Sequence, residues 1–216
     1  MLTEDEKRKL KFSLIIPVIF IFIIWIIWIL DYSENLELYR WGIYPRDLIG
    51  LRGIVFAPLI HDGFSHLFAN TIPILVLGTG INYFYRALAY KVIFVTWIFG
   101  GICIWIGARE SYHIGASGLI YGLASFLFFS GIIRKDVRLA AISLLVVFLY
   151  GSMIWGIFPI NHGVSWESHF FGGLCGLIAA IIYRKEGPQR IEIDWGEEDV
   201  EENESIEEIK EEEQYN

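Results

Sequence analysis

Residues 13–30 read SLIIPVIFIFIIWIIWIL, a run of eighteen positions without a charged side chain. A helix of that length rises about 27 Å, close to the hydrocarbon thickness of a bilayer. Similar apolar runs recur along a chain in which 55% of the residues are hydrophobic and 19% are charged, with a mean hydropathy of +0.49. The pattern predicts an integral membrane protein and disfavours the alternative of a soluble all-α domain.

Charged residues separate the apolar runs and divide the 216-residue chain into six predicted membrane spans: 13–30, 65–84, 90–108, 116–133, 138–158 and 167–183. The first run is too long for the apolar core of a usual signal peptide and is followed by 31–34, DYSE, with no small-residue cleavage site. We therefore interpret it as a retained span. The predicted fold is an all-α membrane protein with a six-helix bundle.

Basic residues indicate the orientation, because they favour the cytoplasmic side of a membrane. With the N-terminus in the cytoplasm, the inner segments carry twelve Lys and Arg residues, and the outer segments carry Arg40, Arg46, Arg52 and Arg109. This bias predicts that both termini are cytoplasmic, with 1–12 as a basic N-terminus and 13–185 as the six-span domain. The charge of the inner segments suits a bacterial plasma membrane, and an organelle membrane is the alternative.

The C-terminal segment, 186–216, is strongly acidic. Residues 191–216 hold 13 Asp and Glu and one Lys, a net charge of −12, whereas residues 1–190 carry +4. Such a run repels itself and has little apolar surface to bury. We predict a disordered, solvating cytoplasmic tail, with a docking segment as the alternative.

The first outer connection, 31–64, is too long for a tight turn. It is rich in aromatic and aliphatic residues and is interrupted by Pro45, Gly50, Gly53 and Pro58. An amphipathic segment of this kind can lie in the membrane interface. The sequence therefore predicts a long first outer loop that is partly embedded in the membrane.

Polar side chains are costly within spans, so their positions are informative. They gather at the start of the second, fourth and sixth predicted spans, which all run inward: His61, His66 and Asn70, then Ser117, then His169. These residues are expected at one depth, in the outer part of the membrane. A serine with an imidazole in hydrogen-bond reach suits nucleophilic catalysis, and a helix N-terminus offers N–H groups to an oxyanion.

The serine and the histidine are each followed by a glycine pair of the small-xxx-small type. These pairs are Gly118 and Gly122 on the fourth span, and Gly172 and Gly176 on the sixth. Such pairs allow two helices to approach closely. We expect these two faces to pack together, which would bring Ser117 within reach of His169.

Four further side chains have predicted supporting roles. His66 and Asn70 share a helical face at i, i+4 and can supplement an oxyanion hole, with a buried structural hydrogen-bond pair as the alternative. Tyr121 lies one turn after Ser117 and is predicted to hold or stack on the histidine, or else to pack at the interface. His61 is predicted to orient the loop or the second span.

The remaining cysteines and histidines carry no predicted chemistry. Cys103 and Cys175 lie in apolar runs and are predicted to be small buried residues without a disulfide. His113 and His162 are flanked by loop residues and are predicted to be surface histidines. The spacing of these residues indicates no metal site, and we predict neither a cofactor nor a nucleic-acid partner.

Taken together, this pattern resembles the rhomboid family of intramembrane serine proteases. The resemblance runs from His61 to Gly176 and rests on His61-x4-His66-x3-Asn70, Gly115-Ala116-Ser117-Gly118, Tyr121, and His169 followed by Gly172 and Gly176. It implies that Ser117 is the nucleophile and His169 its base. His66, Asn70 and the Ser117 backbone N–H would stabilise the oxyanion, and no acidic residue is needed.

The resemblance also implies the partners: transmembrane protein substrates that enter from the lipid near the second and fifth spans. One departure is the Trp-Arg motif that many rhomboids carry in the first loop. This chain has Arg40-Trp41 instead, and Arg46 and Arg52 are candidates for the same part.

Two other functions compete with a protease. A catalytically inactive rhomboid-like protein that binds membrane clients would be expected to lack the serine or the histidine. A small transporter would need charged or broken spans near the middle of the membrane. The oligomeric state is left open by the sequence.

Overall fold

The computed structural model describes residues 3–135, 137–159 and 165–189. Six apolar helices form its framework: α1 Glu4–Glu34, α2 Phe64–Phe84, α3 Ala89–Gly107, α4 Ser117–Arg134, α5 Val137–Tyr150 and α6 Trp166–Ile182. Within these ranges there is no strand, and one isolated bridge pairs Ile43 with His113. The predicted all-α bundle is confirmed.

Four of the helices, α1 to α4, are long and apolar enough to cross a membrane. The other two are shorter, with 14 residues in α5 and 17 in α6. The predicted fifth span, 138–158, divides into α5 and a 3-10 segment, Gly151–Ile157. The α-helix ends at Tyr150, because the next residue is Gly151 and glycine weakens a helix interior.

The first helix begins earlier than its predicted span. Thr3 caps it, because the Thr3 side chain accepts the Glu6 N–H at 3.2 Å and the Glu6 carboxylate accepts the Thr3 N–H at 2.8 Å. The residues predicted as a separate basic N-terminus therefore continue the helix from Glu4. Further along, Pro17 packs against Gly78, where a Cβ would lie 2.9 Å from the proline Cγ.

The central helix is α4. Half of its most apolar stretch of eighteen residues is buried, against 17% of the corresponding stretch in α1. It packs along α6 and also contacts α2, α3 and α5. The candidate serine therefore begins the most buried of the four long helices.

The loop 31–64 is attached to the segment that precedes α4. Ile43 and His113 exchange two backbone hydrogen bonds, of 3.0 and 2.9 Å. The Arg46 guanidinium donates to the carbonyls of Ile106 at 3.3 Å and Ala108 at 2.8 Å, at the end of α3. Arg46 therefore anchors the loop in this chain, which lacks the Trp-Arg motif.

Apolar side chains of the same loop face outward. Leu48 and Ile49 are 78% and 66% exposed, and the Arg52 guanidinium lies 4.5 Å from the centre of the Trp41 ring. Burying such side chains in a membrane interface would remove apolar surface from water. The partial embedding of the loop remains a prediction that these exposures support.

At the opposite end of the bundle, a buried arginine joins α4 to the end of α6. The Arg134 guanidinium donates to Ser130 Oγ at 2.8 Å and to the carbonyls of Tyr183, Arg184 and Pro188 at 2.8 to 3.0 Å. Carbonyls at a helix C-terminus lack helical donors, and a cation there is favourable. This end of the central helix is thereby fixed to the segment that follows α6. Of the predicted acidic tail, 186–216, the residues from 190 onward lie outside the described residues.

Candidate active site

Ser117 is the first residue of α4, and the chain reaches it through a constrained glycine. Gly115 has φ of +100°, and a Cβ at that position would lie 2.6 Å from His66 Nε2. Both the conformation and the space require glycine. At the first position of the helix, the Ser117 N–H has no partner within α4, so it can donate to an oxyanion.

His169, in the first turn of α6, faces Ser117. Its Nε2 lies 2.9 Å from Ser117 Oγ, and its Nδ1 lies 2.9 Å from the carbonyl oxygen of Gly156. A carbonyl only accepts, so Nδ1 carries the proton and Nε2 accepts the Ser117 O–H. The imidazole therefore has the tautomer that a base for serine requires, and a main-chain carbonyl from the segment after α5 fixes it.

The predicted glycine pairs lie at the contact between α4 and α6. A Cβ on Gly172 would lie 2.0 Å from the Gly118 carbonyl oxygen, and a Cβ on Gly176 would lie 2.1 Å from that of Gly122. No side chain fits in these gaps. The close approach expected from the glycines is present, and it sets the distance between the serine and the histidine.

Tyr121 stacks on the candidate base. Its ring centroid lies 4.1 Å from that of His169, and the two planes differ by 6°. The predicted stack is therefore present. It restricts rotation of the imidazole, since turning the ring would clash with the phenol ring beside it.

An open cavity of about 870 Å³ lies in front of these residues. Ser117 and His169 line it together with His66 and Asn70. Other polar or aromatic side chains in its wall are Tyr39, Asp62, Ser65, Tyr112, Tyr121, Tyr150 and Ser165. A volume of this size admits an extended peptide segment and water.

The side chains of His66 and Asn70 do not bond to each other. The Asn70 amide donates one hydrogen to the His66 backbone carbonyl at 2.8 Å, and its second hydrogen remains for a ligand. The His66 Nδ1 instead lies 2.7 Å from Asp62 Oδ1. The structure thus brings both predicted oxyanion residues to the cavity wall, each held by a local bond.

Comparisons with known proteins show the family of this chain. Residues 50–186 match a family model described as Rhomboid domain. The chain belongs to the rhomboid family. Uncharacterized proteins of Mycobacterium bovis and Mycobacterium leprae are similar to it, 36% identical over 185 residues (79% of this chain, 74% of the relative) and 42% identical over 155 residues (65% and 58%).

A more distant relative carries a functional name. A Bacillus subtilis protein provisionally named rhomboid protease YdcA is 28% identical over 120 residues, which is 55% of this chain and 59% of that protein. Together with the apolar helices, the family match shows that this chain is an integral membrane protein of the rhomboid family.

His61 is buried behind the cavity of this rhomboid. It is 2% exposed, its ring centroid lies 5.0 Å from that of His66, and its Nε2 accepts the Ala116 N–H at 3.5 Å. Burial, with a smaller contribution from the nearby His66, lowers the pKa of His61 to about 3. The ring is therefore neutral, and its contact with the residue before Ser117 supports the predicted orienting role.

The prediction of a surface His113 is wrong. His113 is 2% exposed, donates through Nε2 to the Arg109 carbonyl at 3.0 Å, and accepts through Nδ1 from Ser165 Oγ at 2.6 Å. The backbone pairing with Ile43 draws this loop inward, and burial lowers the pKa of His113. The residue joins the loop before α4 to the start of α6. His162 lies outside the described residues.

Two parts of this rhomboid site escaped the sequence reasoning. The Gly156 carbonyl has no signal in the sequence, because any residue supplies a carbonyl. Asp62 did have a signal, since it lies four residues before His66. Glu167 is close to His169 in sequence but is not the partner of its Nδ1. The Glu167 carboxylate is buried 3.6 Å from the Arg109 guanidinium, and the His169 Nδ1 bonds to the Gly156 carbonyl.

The described residues include no group of three His, Cys, Asp or Glu side chains that could hold a metal ion. Cys103 and Cys175 are free thiols, with Cys175 buried in α6 and Cys103 partly buried in α3.

Proposed function

We propose that this rhomboid is a serine endopeptidase that cleaves transmembrane protein substrates near the outer leaflet. One observation carries the proposal: the 2.9 Å bond between Ser117 Oγ and His169 Nε2, with the imidazole oriented by the Gly156 carbonyl. A serine hydroxyl is a weak nucleophile unless a base takes its proton, and the base works best when a third group orients it.

In the first half of the reaction, His169 takes the Ser117 proton as Oγ attacks the carbonyl carbon of the scissile peptide bond. The carbonyl electron pair moves onto oxygen, and the backbone N–H of Ser117 donates to this oxyanion with the side chains of His66 and Asn70. The imidazolium of His169 then gives its proton to the leaving amine as the C–N bond breaks. An acyl ester on Ser117 remains.

In the second half, water from the cavity attacks the ester carbonyl. His169 takes a proton from the water and returns it to Ser117 Oγ as the C–O bond breaks. The products are a carboxylic acid and the original serine. The open cavity of about 870 Å³ supports this step, because hydrolysis within a membrane protein needs water at the nucleophile.

The substrate class follows from the surroundings of the cavity. Below it, α2 and α5 border an apolar groove of about 670 Å³. An apolar helix fits such a groove, and the peptide to be cut would lie in the polar cavity above. We propose transmembrane substrates that enter between α2 and α5, with both termini of the enzyme in the cytoplasm, as the bias in Lys and Arg residues indicates.

A fluorophosphonate reagent tests the proposed nucleophile. The wild-type protein is expected to form a Ser117 Oγ–P bond with loss of fluoride, and Ser117→Ala is expected to give no adduct, by intact-protein mass spectrometry. Ser65→Ala is the matched control, since Ser65 also lines the cavity. Equal labelling of Ser117→Ala would contradict the proposal, and an unreactive wild type would favour the inactive client-binding alternative.

We also expect the Tyr121 ring that stacks on His169 to affect the cleavage rate. Tyr121→Ala is expected to lower kcat about tenfold relative to Tyr121→Phe, because only phenylalanine preserves the ring that lies 4.1 Å from the imidazole. Initial cleavage rates of both variants at saturating substrate measure the difference. Equal rates would show that the stack does not hold the base.

A further inference from the structure

The contact between Asp62 and His66 sets a condition on the oxyanion site. The His66 Nδ1 lies 2.7 Å from Asp62 Oδ1. The hydrogen bond to His66, above all, lowers the pKa of Asp62, so this carboxyl group is ionised and can only accept. The proton therefore lies on Nδ1. If the ring is neutral, Nε2 then has a lone pair and cannot donate to an oxyanion.

The Nε2 edge of the same ring points toward the nucleophile's loop. A Cβ on Gly115 would lie 2.6 Å from both Nε2 and Cε1 of His66, and Gly115 precedes Ser117 by two residues. This edge must carry a hydrogen if His66 is to stabilise negative charge there. A ring with protons on both nitrogens meets that requirement, and it needs a nearby negative charge to be favoured.

Asp62 is the carboxylate that the described cavity wall offers for this purpose. The neighbouring His61 is neutral, since burial holds its pKa far below its usual range. The other ionisable groups around the cavity are His169 across from His66 and four tyrosines: Tyr39, Tyr112, Tyr121 and Tyr150. None of these supplies a negative charge at neutral pH.

We propose that Asp62 is a positioning residue that keeps His66 in its imidazolium form, so that Nε2–H donates to the oxyanion. This inference rests on the proposed protease function. It names Asp62 as the group that allows His66 to donate a hydrogen bond to the oxyanion. The side chains of Asp62 and His66 are 65% and 30% exposed, so solvent screens the pair. A screened pair of this kind changes an equilibrium by about 1.4-fold to fivefold.

Asp62→Asn tests the charge without removing the acceptor, because the asparagine oxygen can still accept the Nδ1–H. The expected result is a kcat close to wild type at pH 6 and reduced by up to about fivefold at pH 8.5, because the uncharged asparagine no longer favours the second ring proton. KM is expected to change less, since the oxyanion forms only after substrate binds. Asp62→Glu should restore the wild-type profile.

The control is Glu34→Gln, which removes an exposed carboxylate at the outer end of α1, away from the cavity wall. It is expected to leave the pH profile unchanged. A profile of Asp62→Asn that matches wild type, or one that falls equally at all pH values, would overturn the proposal, because a purely structural role has no reason to depend on pH.

A second readout needs no substrate. Nitrogen-15 NMR of labelled histidines in detergent micelles, assigned with His66→Gln, gives the fraction of His66 in the imidazolium form at pH 7. That fraction is expected to fall in Asp62→Asn, and an unchanged fraction would overturn the proposal. If the wild-type protein cleaves no substrate but the imidazolium fraction of His66 still falls in Asp62→Asn, the protease function is contradicted. The ion pair between Asp62 and His66 is then still supported.

Discussion

His169→Ala is expected to lower the rate of cleavage of a transmembrane substrate by at least about 10⁴-fold, because it removes the base that lies within hydrogen-bond distance of Ser117 Oγ. Within the described residues, the side-chain contact of the Ser117 Oγ is with the His169 Nε2, at 2.9 Å. The measurement is the initial cleavage rate in proteoliposomes at equal protein concentration.

The control for this variant is Phe170→Ala, which changes the next residue on α6. Phe170 is 44% exposed on the outside of the bundle, so its loss is expected to change the rate less than twofold. Thermal unfolding in detergent shows whether each variant is folded. A folded His169→Ala protein that keeps more than a tenth of the wild-type rate would contradict its role as the base.

The second large effect is expected from Gly172→Ala. Its Cβ would lie 2.0 Å from the Gly118 carbonyl oxygen, so α4 and α6 must separate by about 1 Å to restore normal contact. Overpacking of this kind destabilises a protein by about 2 kcal/mol. A misplacement of 1 Å between nucleophile and base costs about 100-fold in rate. Cleavage rates and thermal unfolding measure the two effects.

Gly173→Ala is a matched control for that substitution. It makes the same change one position further along α6, where a Cβ would meet nothing within 4 Å. Alanine there is expected to leave the rate unchanged and to stabilise the helix slightly. If Gly172→Ala and Gly173→Ala behaved alike, the packing of α4 on α6 would not set the geometry of the site.

The serine and histidine could be predicted from sequence because their positions follow from the topology. Spans that run in the same direction place their first residues at one depth, and glycine pairs beside Ser117 and His169 indicate which faces meet. These features depend on side-chain type and spacing, which a sequence displays directly. The same logic predicted His66 and Asn70 at the depth of the serine, and the structure has both in the cavity wall.

The orienting groups could not be found so easily. The Gly156 carbonyl belongs to the main chain, and its position depends on how the 3-10 segment after α5 folds over α6. His113 seemed to lie at the surface because its neighbours in sequence are loop residues. Its burial follows from a backbone pairing with Ile43, seventy positions away, which no local pattern reveals.

The two histidines of the cavity have the same arrangement with different acceptors. In each, Nδ1 donates to an oxygen, the neutral Gly156 carbonyl for His169 and the ionised Asp62 for His66. A neutral acceptor leaves Nε2 as a base, whereas an anionic acceptor favours a second proton on Nε2. The acceptors thus suit the roles proposed for the two rings, one as proton acceptor and one as hydrogen-bond donor.

The proposed function depends on Ser117 acting as the nucleophile of an intramembrane protease. The most direct measurement is the cleavage of a single-span test substrate by the purified protein in proteoliposomes, with wild type and Ser117→Ala compared by mass spectrometry of the fragments. We expect cleavage within or beside the substrate's membrane span by wild type and no fragments with Ser117→Ala. The same fragments at the same rate from Ser117→Ala would contradict it.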